Sequence, residues 1–134
     1  MKLTKKETDF ISSQGVARLA TVSGEGVPHN VPVCPVFDRG KLYLASDSGA
    51  RKVKNIQSNR RAAIVFDQYR DSWAGLHGVM LQCSALIVEQ KQFKTIRRKF
   101  YAKYRKYESQ AALEPGESVI VELSPEKKFS WGFD

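Results

Sequence analysis

From Gly15 to Phe133 the chain is a succession of short apolar runs, most of them ended within a few residues by glycine, proline, aspartate or serine. Short runs with close turn signals suggest a mostly antiparallel barrel rather than a parallel sheet joined by crossover helices. "GVARLATVS" alternates, with Val16, Arg18, Ala20 and Val22 on one side, and closes at the turn "SGEG". "VPHNVPVCPVF" follows, with Val27, His29, Val31, Val33 and Phe37 on one face. Pro28, Pro32 and Pro35 interrupt it. Proline has no N–H for a ladder, so this run must lie at a sheet edge or carry a bulge. "DRG" turns into the strand "KLYLAS". "RAAIVFDQY" has a continuous apolar centre, which predicts burial on both faces. "RDSWAGLHG" reads as a loop and "VMLQCSALIVE" as a long strand. "AALEPGE" is a linker, and "SVIVELSPEKKFSWGF" gives one or two last strands broken at Ser124-Pro125.

Three segments depart from this pattern. Thr4 and Glu7 fit a capping box, so a helix is expected over about Lys5–Gln14. A short helix should follow "KLYLAS", capped by Asp47 or Ser48, with Val53 and Ile56 turned inward. Phe93, Ile96, Phe100, Tyr104 and Tyr107 follow at spacings of 3, 4, 4 and 3, the period of a helix packed on one side. The fold class is therefore mostly β with minor α. It is a six- to seven-stranded antiparallel barrel with one short helix and one longer late helix, in a single domain over residues 1–134.

Composition removes several functional classes. Apolar residues make up 42% and charged residues 27%, which are ordinary globular values. No apolar run approaches the ~20 residues that cross a bilayer. "MKLTKKETDF" lacks the apolar core of a secretory signal, so a cytoplasmic location away from membranes is expected. Cys34 and Cys83 read as two buried thiols, too few for a metal or disulfide framework. There is no GxGxxG, Walker A, CxxC or HExxH sequence, and no metal-ligand set is expected. His29 reads as a structural polar residue and His77 as a solvated loop residue. Asp67, Asp71 and Glu89 lie near strand ends, with nothing to mark an acid–base pair. The hard chemistry of any reaction would belong to a bound cofactor.

The charge is more informative. The net charge is +8. Eight basic residues fall between Lys91 and Lys106 with no acid among them, while the other 14 balance the 14 acids. The aromatic residues of that segment sit at core spacing, so its charges read as a solvated helix face or as a patch for a polyanion. A second basic stretch, "SGARKVKNIQSNRR", begins where a strand ends and a helix should start. Cations there oppose the helix macrodipole, whereas a phosphate would suit both the free N–H groups and the cations. Ser46 and Ser48 add hydroxyls. A solvated charged face explains the same stretch equally well.

Four segments, "ARLATVSGEGVPHNVPV", "LYLASDSGARKVKNI", "AAIVFDQYRDSWAGLHGVMLQCSALIV" and "VELSPEKKFSWGF", together resemble the pyridoxamine-5'-phosphate-oxidase-like split β-barrel proteins. Their order is most similar to the subset that includes the deazaflavin (F420)-dependent oxidoreductases, over about Gly15–Phe133. The resemblance implies a homodimer with its cofactor, FMN or F420, in the groove between subunits. The excess positive charge leans slightly toward F420, whose tail is polyanionic. It implies that Ser46, Arg51 and Lys52 hold the cofactor phosphate, with Lys54 and Asn55 adjacent. Asn30, Val31, Pro32 and Val33 would line the ring, Gln68 and Trp73 would lie near it, and Trp131 would close it from one subunit or the other. Relatives often carry Asn-Pro-Arg where this chain has Asn59-Arg60-Arg61, and glycine where it has Cys83. The activity implied is hydride transfer to or from a small unsaturated or heteroaromatic substrate. The rivals are a non-catalytic flavin or haem carrier on the same fold and, disfavoured by its strand composition, a nucleic-acid-binding barrel.

Overall fold

The computed structural model describes residues 1–133. Its elements in chain order are α1 (Lys5–Ser13), β1 (Ala17–Val22), β2 (Pro28–Val33), β3 (Val36–Asp38), β4 (Lys41–Asp47), α2 (Arg51–Ser58), β5 (Arg61–Arg70), β6 (Ser72–Ile87), α3 (Gln90–Lys103), α4 (Tyr107–Gln110) and β7 (Ser118–Trp131). The seven strands form one antiparallel sheet in the order β2-β1-β5-β6-β7-β4-β3, curled into a half-barrel. Among the described residues, no helix is long and apolar enough to cross a membrane.

The proline-rich run divides at Cys34-Pro35 into β2 and β3, and these two are the edges of the sheet. Edges are where strands lacking N–H donors can sit. Arg39 (φ 51°) and Gly40 (φ 80°) form the two-residue turn between β3 and β4, both in the left-handed region that such a hairpin requires.

Inside the curl, Leu19, Leu42, Leu44, Ile64, Phe66 and Leu81 are fully buried. The β5 run alternates rather than being buried on both faces: Ala62, Ile64 and Phe66 face the core, while Ala63 and Val65 are half-exposed on the outside. The expected loop "RDSWAGLHG" is a strand instead. It pairs with β5 at Gln68↔His77 and Asp67↔Gly78, and again at Arg70↔Ser72 beside the turn at Asp71, with an irregularity between Gln68 and Arg70. β7 is likewise one strand, and the break expected at Ser124-Pro125 is a bulge that skips Glu126 in the pairing with β6.

A second apolar cluster lies outside the curl. Phe93, Ile96 and Phe100 of α3 pack with Val36, Val88, Leu113 and Ile120, as their helical spacing predicts. The helix stops at Lys103, however, and Tyr107 belongs to α4. The cause is local. The Lys103 ammonium donates to Gln14 O and Pro35 O, each at 2.9 Å, and the Tyr104 hydroxyl donates to Pro35 O at 2.6 Å. These bonds tie the end of α3 to the β2–β3 junction. Cys34 at that junction is half-buried, not the buried thiol expected, whereas Cys83 is 2% exposed and burial pushes its thiol up to about 12.

The same bonds redefine the basic segment. Lys91 pairs with Glu89, Lys99 pairs with Asp38, Arg97 donates to Leu113 O at 3.0 Å, and Lys103 is engaged as above. Half of the eight cations therefore bind parts of the fold, and Lys94, Arg98, Arg105 and Lys106 remain on the surface.

Helices close both ends of the curl. α1 covers the Ala17 end, where Ile11 is 1% exposed and Glu7 is 3% exposed. α2 covers the Thr21 end, with Val53 and Ile56 buried as expected.

Candidate functional site

The strand-to-helix segment after β4 forms an anion-friendly end, with one departure from expectation. The N-cap of α2 is Ala50, not Asp47 or Ser48, and no side chain caps the helix. The N–H groups of Val53 and Lys54 both reach Ala50 O at 3.1 Å. Those of Arg51 and Lys52 find no acceptor among the described residues. Arg51, Lys52 and Lys54 also make no ion pair among the described residues. Free N–H donors and unpaired cations at one helix start leave an unsatisfied electrostatic demand that an anion would meet.

The predicted phosphate residues do not converge on one cavity. Arg51 and Asn55 line a cleft of about 560 Å³ whose other wall is the β1–β2 turn, with Ser23, Gly24, Glu25, Val27, Pro28 and His29. Ser46 and Lys52 line a second cleft of about 330 Å³ on the other side of the α2 start, against Asp47, Tyr107 and Leu113. Lys54 is exposed on α2.

The first cleft is built by local bonding. The Ser23 hydroxyl accepts from Val27 N at 3.0 Å, and Gly26 (φ 86°) supplies the left-handed turn residue. Asn55, 1% exposed, donates its amide to Thr21 Oγ1 at 3.0 Å, which fixes α2 to β1. Asn55 is thus first a structural residue that sets the position of Arg51. His29 Nδ1 is buried and has no hydrogen-bond partner among the described residues. The sequence pattern alone does not single His29 out as a site residue. The signal that could do so is its phase, since it shares the inward face of β2 with Val31 and Val33.

The remaining predicted residues are placed as follows. Asn30 and Pro32 point out of the curl, opposite Ala20 and Arg18 of β1. Val33 is buried in the core and Val31 packs against it, so their side chains are not free to meet a ligand. Gln68 pairs with His77, and Trp131 pairs with Gly78, where a Cβ would collide with the indole. Trp73 is 87% exposed near the start of β6. His77 is not a solvated loop residue: it is half-buried in β6, with Nδ1 2.6 Å from Gly132 O and its ring against Phe10 and Phe133. Gln68 and Trp131 therefore lie at the α1 end of the barrel, and Trp73 lies further along β6 in the same direction. Gly78 is five residues along β6 from Cys83, which neighbours the α2 end, so the two groups lie about 17 Å apart along the strands. Among the described residues, no cluster of three or more His, Cys, Asp or Glu is arranged to hold a metal ion.

The family model for pyridoxamine 5'-phosphate oxidase matches residues 3–132. The chain belongs to that family. Within curated proteins, it is 44% identical over 71 residues to a 5a,11a-dehydrotetracycline/5a,11a-dehydrooxytetracycline reductase of Streptomyces rimosus. That match spans half of this chain and half of the reductase. The fold is shared with HutZ, the haem storage protein of Vibrio cholerae, at TM-score 0.81 and 16% identity, over 96% of this chain and 94% of that one. It is shared with a FAD-binding protein of Mesorhizobium loti at TM-score 0.77 and 17% identity, over 96% and 93%. In this member of the family the start of α2 carries two free backbone donors and, in the cleft of about 560 Å³, the unpaired Arg51.

Proposed function

We propose that the protein is a homodimeric oxidoreductase that binds FMN or F420 and exchanges hydride with a small unsaturated or heteroaromatic substrate. The observation that carries this reading is the uncapped start of α2, with Arg51 unpaired in the 560 Å³ cleft. The cofactor would supply the redox chemistry. The chain would hold the phosphate through Arg51 and the N–H groups of Arg51 and Lys52, with Lys52, Lys54 and Ser46 widening the positive field. Asn30 and Pro32 present the outer surface of β2 to a ring, and the backbone of Val31 and Val33 shapes that strand.

A second copy completes the site. Gln68, Trp73 and Trp131 are too far along the barrel to reach the α2 cleft of their own chain, so the partner would bring them. The outer sheet face suits such an association. Val65, Met80 and Phe129 form one cross-strand row, beside the Gly78–Trp131 row. Phe129 is 51% exposed and Trp131 39% exposed, large apolar groups that a second copy would cover. The reductase of Streptomyces rimosus, matched over half its length, supports a reduction as the reaction class. The slight lean to F420 rests on the net charge of +8, which would suit a polyanionic tail.

The test is an absorbance spectrum of the purified protein, then fluorescence titrations with FMN and with F420 on the wild type and on Arg51→Glu and Lys52→Glu. Saturable binding of one cofactor, weakened tenfold or more by Arg51→Glu, is the expected result, because charge-assisted bonds contribute ~1.5–3 kcal/mol. Unchanged affinity in both variants would remove the phosphate assignment. Binding of haem alone, with no turnover, would point to a carrier.

A further inference from the structure

The α2 cleft contains one polar group whose state is unusual. His29 lines the cleft, and its Nδ1 is buried without a partner among the described residues. An N–H at that atom would be a buried donor with no acceptor, at a cost of roughly 1–3 kcal/mol. A bare lone pair is the less costly occupant, so the ring proton belongs on Nε2. Nε2 makes no hydrogen bond to the described residues and is not itself buried, so it faces open space. The cleft that His29 lines is the one it shares with Arg51.

The β-strand period produces this arrangement. On β2, His29 points inward in phase with Val31 and Val33, and it pairs across to Thr21. Thr21 is held by Asn55 at 3.0 Å, and Asn55 is four residues, about one helical turn, after Arg51. The histidine and the arginine are thus set on opposite walls by one buried bond. Glu25, on the β1–β2 turn, is the acid that lines the same cleft, and Arg51 is the cation that faces it from α2.

We infer that His29 is a ligand-binding residue of this cleft: through an Nε2–H it donates a hydrogen bond to an oxygen of the phosphorylated ligand that Arg51 attracts. The inference rests on the proposed cofactor reading. Arg51 supplies charge and a fork of donors on a long flexible side chain, while the histidine supplies a single donor whose direction is set by the strand. Glu25 makes the cleft unfavourable to an anion that cannot reach both.

Three variants separate these roles. His29→Gln can place an amide N–H near the Nε2 position, whereas His29→Leu keeps bulk and removes the donor. His29→Ala checks that bulk alone is not the effect. Titration with FMN and with F420 is expected to show tenfold weaker binding for His29→Leu and His29→Ala, and recovery to within threefold of wild type in His29→Gln. Thermal melting of the free variants verifies folding. Independently, ¹⁵N NMR of labelled protein should show the Nε2–H tautomer of His29, with that resonance moving when cofactor is added. Equal binding by wild type and a folded His29→Leu protein overturns the inference while leaving the cofactor reading intact. A proton found on Nδ1 overturns it as well. No saturable binding of either cofactor by wild type overturns both.

Discussion

The two ends of the barrel are closed by helices of similar length that differ in how their polar groups are satisfied. At the α1 end, Thr4 and Glu7 form a complete capping box. Glu7 also accepts from Lys128 Nζ at 2.7 Å, so the buried carboxylate has its partner. Burial works against the Glu7 carboxylate, but the bonds from Lys128, Ser130 and the Thr4 backbone prevail and hold it at about 2. At the α2 end, the cap is an alanine, the first-turn cations are unpaired and His29 Nδ1 has no partner among the described residues. Both helices bury apolar residues against the same sheet, so packing does not distinguish them. The difference is that Glu7 and Thr4 are satisfied within the fold at one end, while the other keeps demands that a ligand can meet.

Breaking the satisfied end should cost the most stability. Glu7→Ala leaves the Lys128 ammonium half-enclosed and uncompensated, and should lower unfolding free energy by on the order of 3 kcal/mol in urea denaturation. The milder Glu7→Gln tests the pH dependence. The folded carboxyl sits near 2 against an ordinary 4.5, so the unfolded chain takes up the proton first as pH falls. The stabilisation is therefore complete above pH 4.5 and is lost progressively toward pH 2. Glu7→Gln should flatten that loss, and an identical slope in both proteins would refute the ion pair as its source.

Changes at the unsatisfied end should have the opposite signature. Arg51→Glu should weaken cofactor binding tenfold or more yet leave the melting temperature of the free protein unchanged or raised, since an acid suits a helix start. A clear drop in stability would mean that Arg51 serves the fold. Gly78→Ala forces the Trp131 indole off its seat and should cost about 1–2 kcal/mol, with a shift in tryptophan emission. Thr21→Val removes the acceptor of Asn55 and should cost about 1 kcal/mol, with a larger loss of affinity than of stability because α2 loses its register.

Some of these features are legible in the amino-acid sequence. The alternation in "GVARLATVS", the capping box at Thr4 and the 3–4 spacing from Phe93 to Phe100 each describe a local periodicity, and each forms its element. The prolines of β2 and β3 require edges, and the strands take them. Other features depend on partners distant in sequence. "RDSWAGLHG" has the composition of a loop, but the β5–β6 ladder extends through it. Tyr104 and Tyr107 continue the helical spacing, but bonds to the β2–β3 junction end the helix first.

The candidate site divides in the same way. By itself the sequence determined that a basic, strand-to-helix segment exists and that the chain carries no recognisable motif for metal or nucleophilic chemistry, because composition and local order are properties of the chain. Only the tertiary structure decided that Arg51 and Lys52 face different clefts, that Asn55 is tied to Thr21, and that His29 stands across from Arg51. Those facts follow from where a helix lands on a curled sheet, and the burial that fixes its landing comes from residues spread over the whole chain.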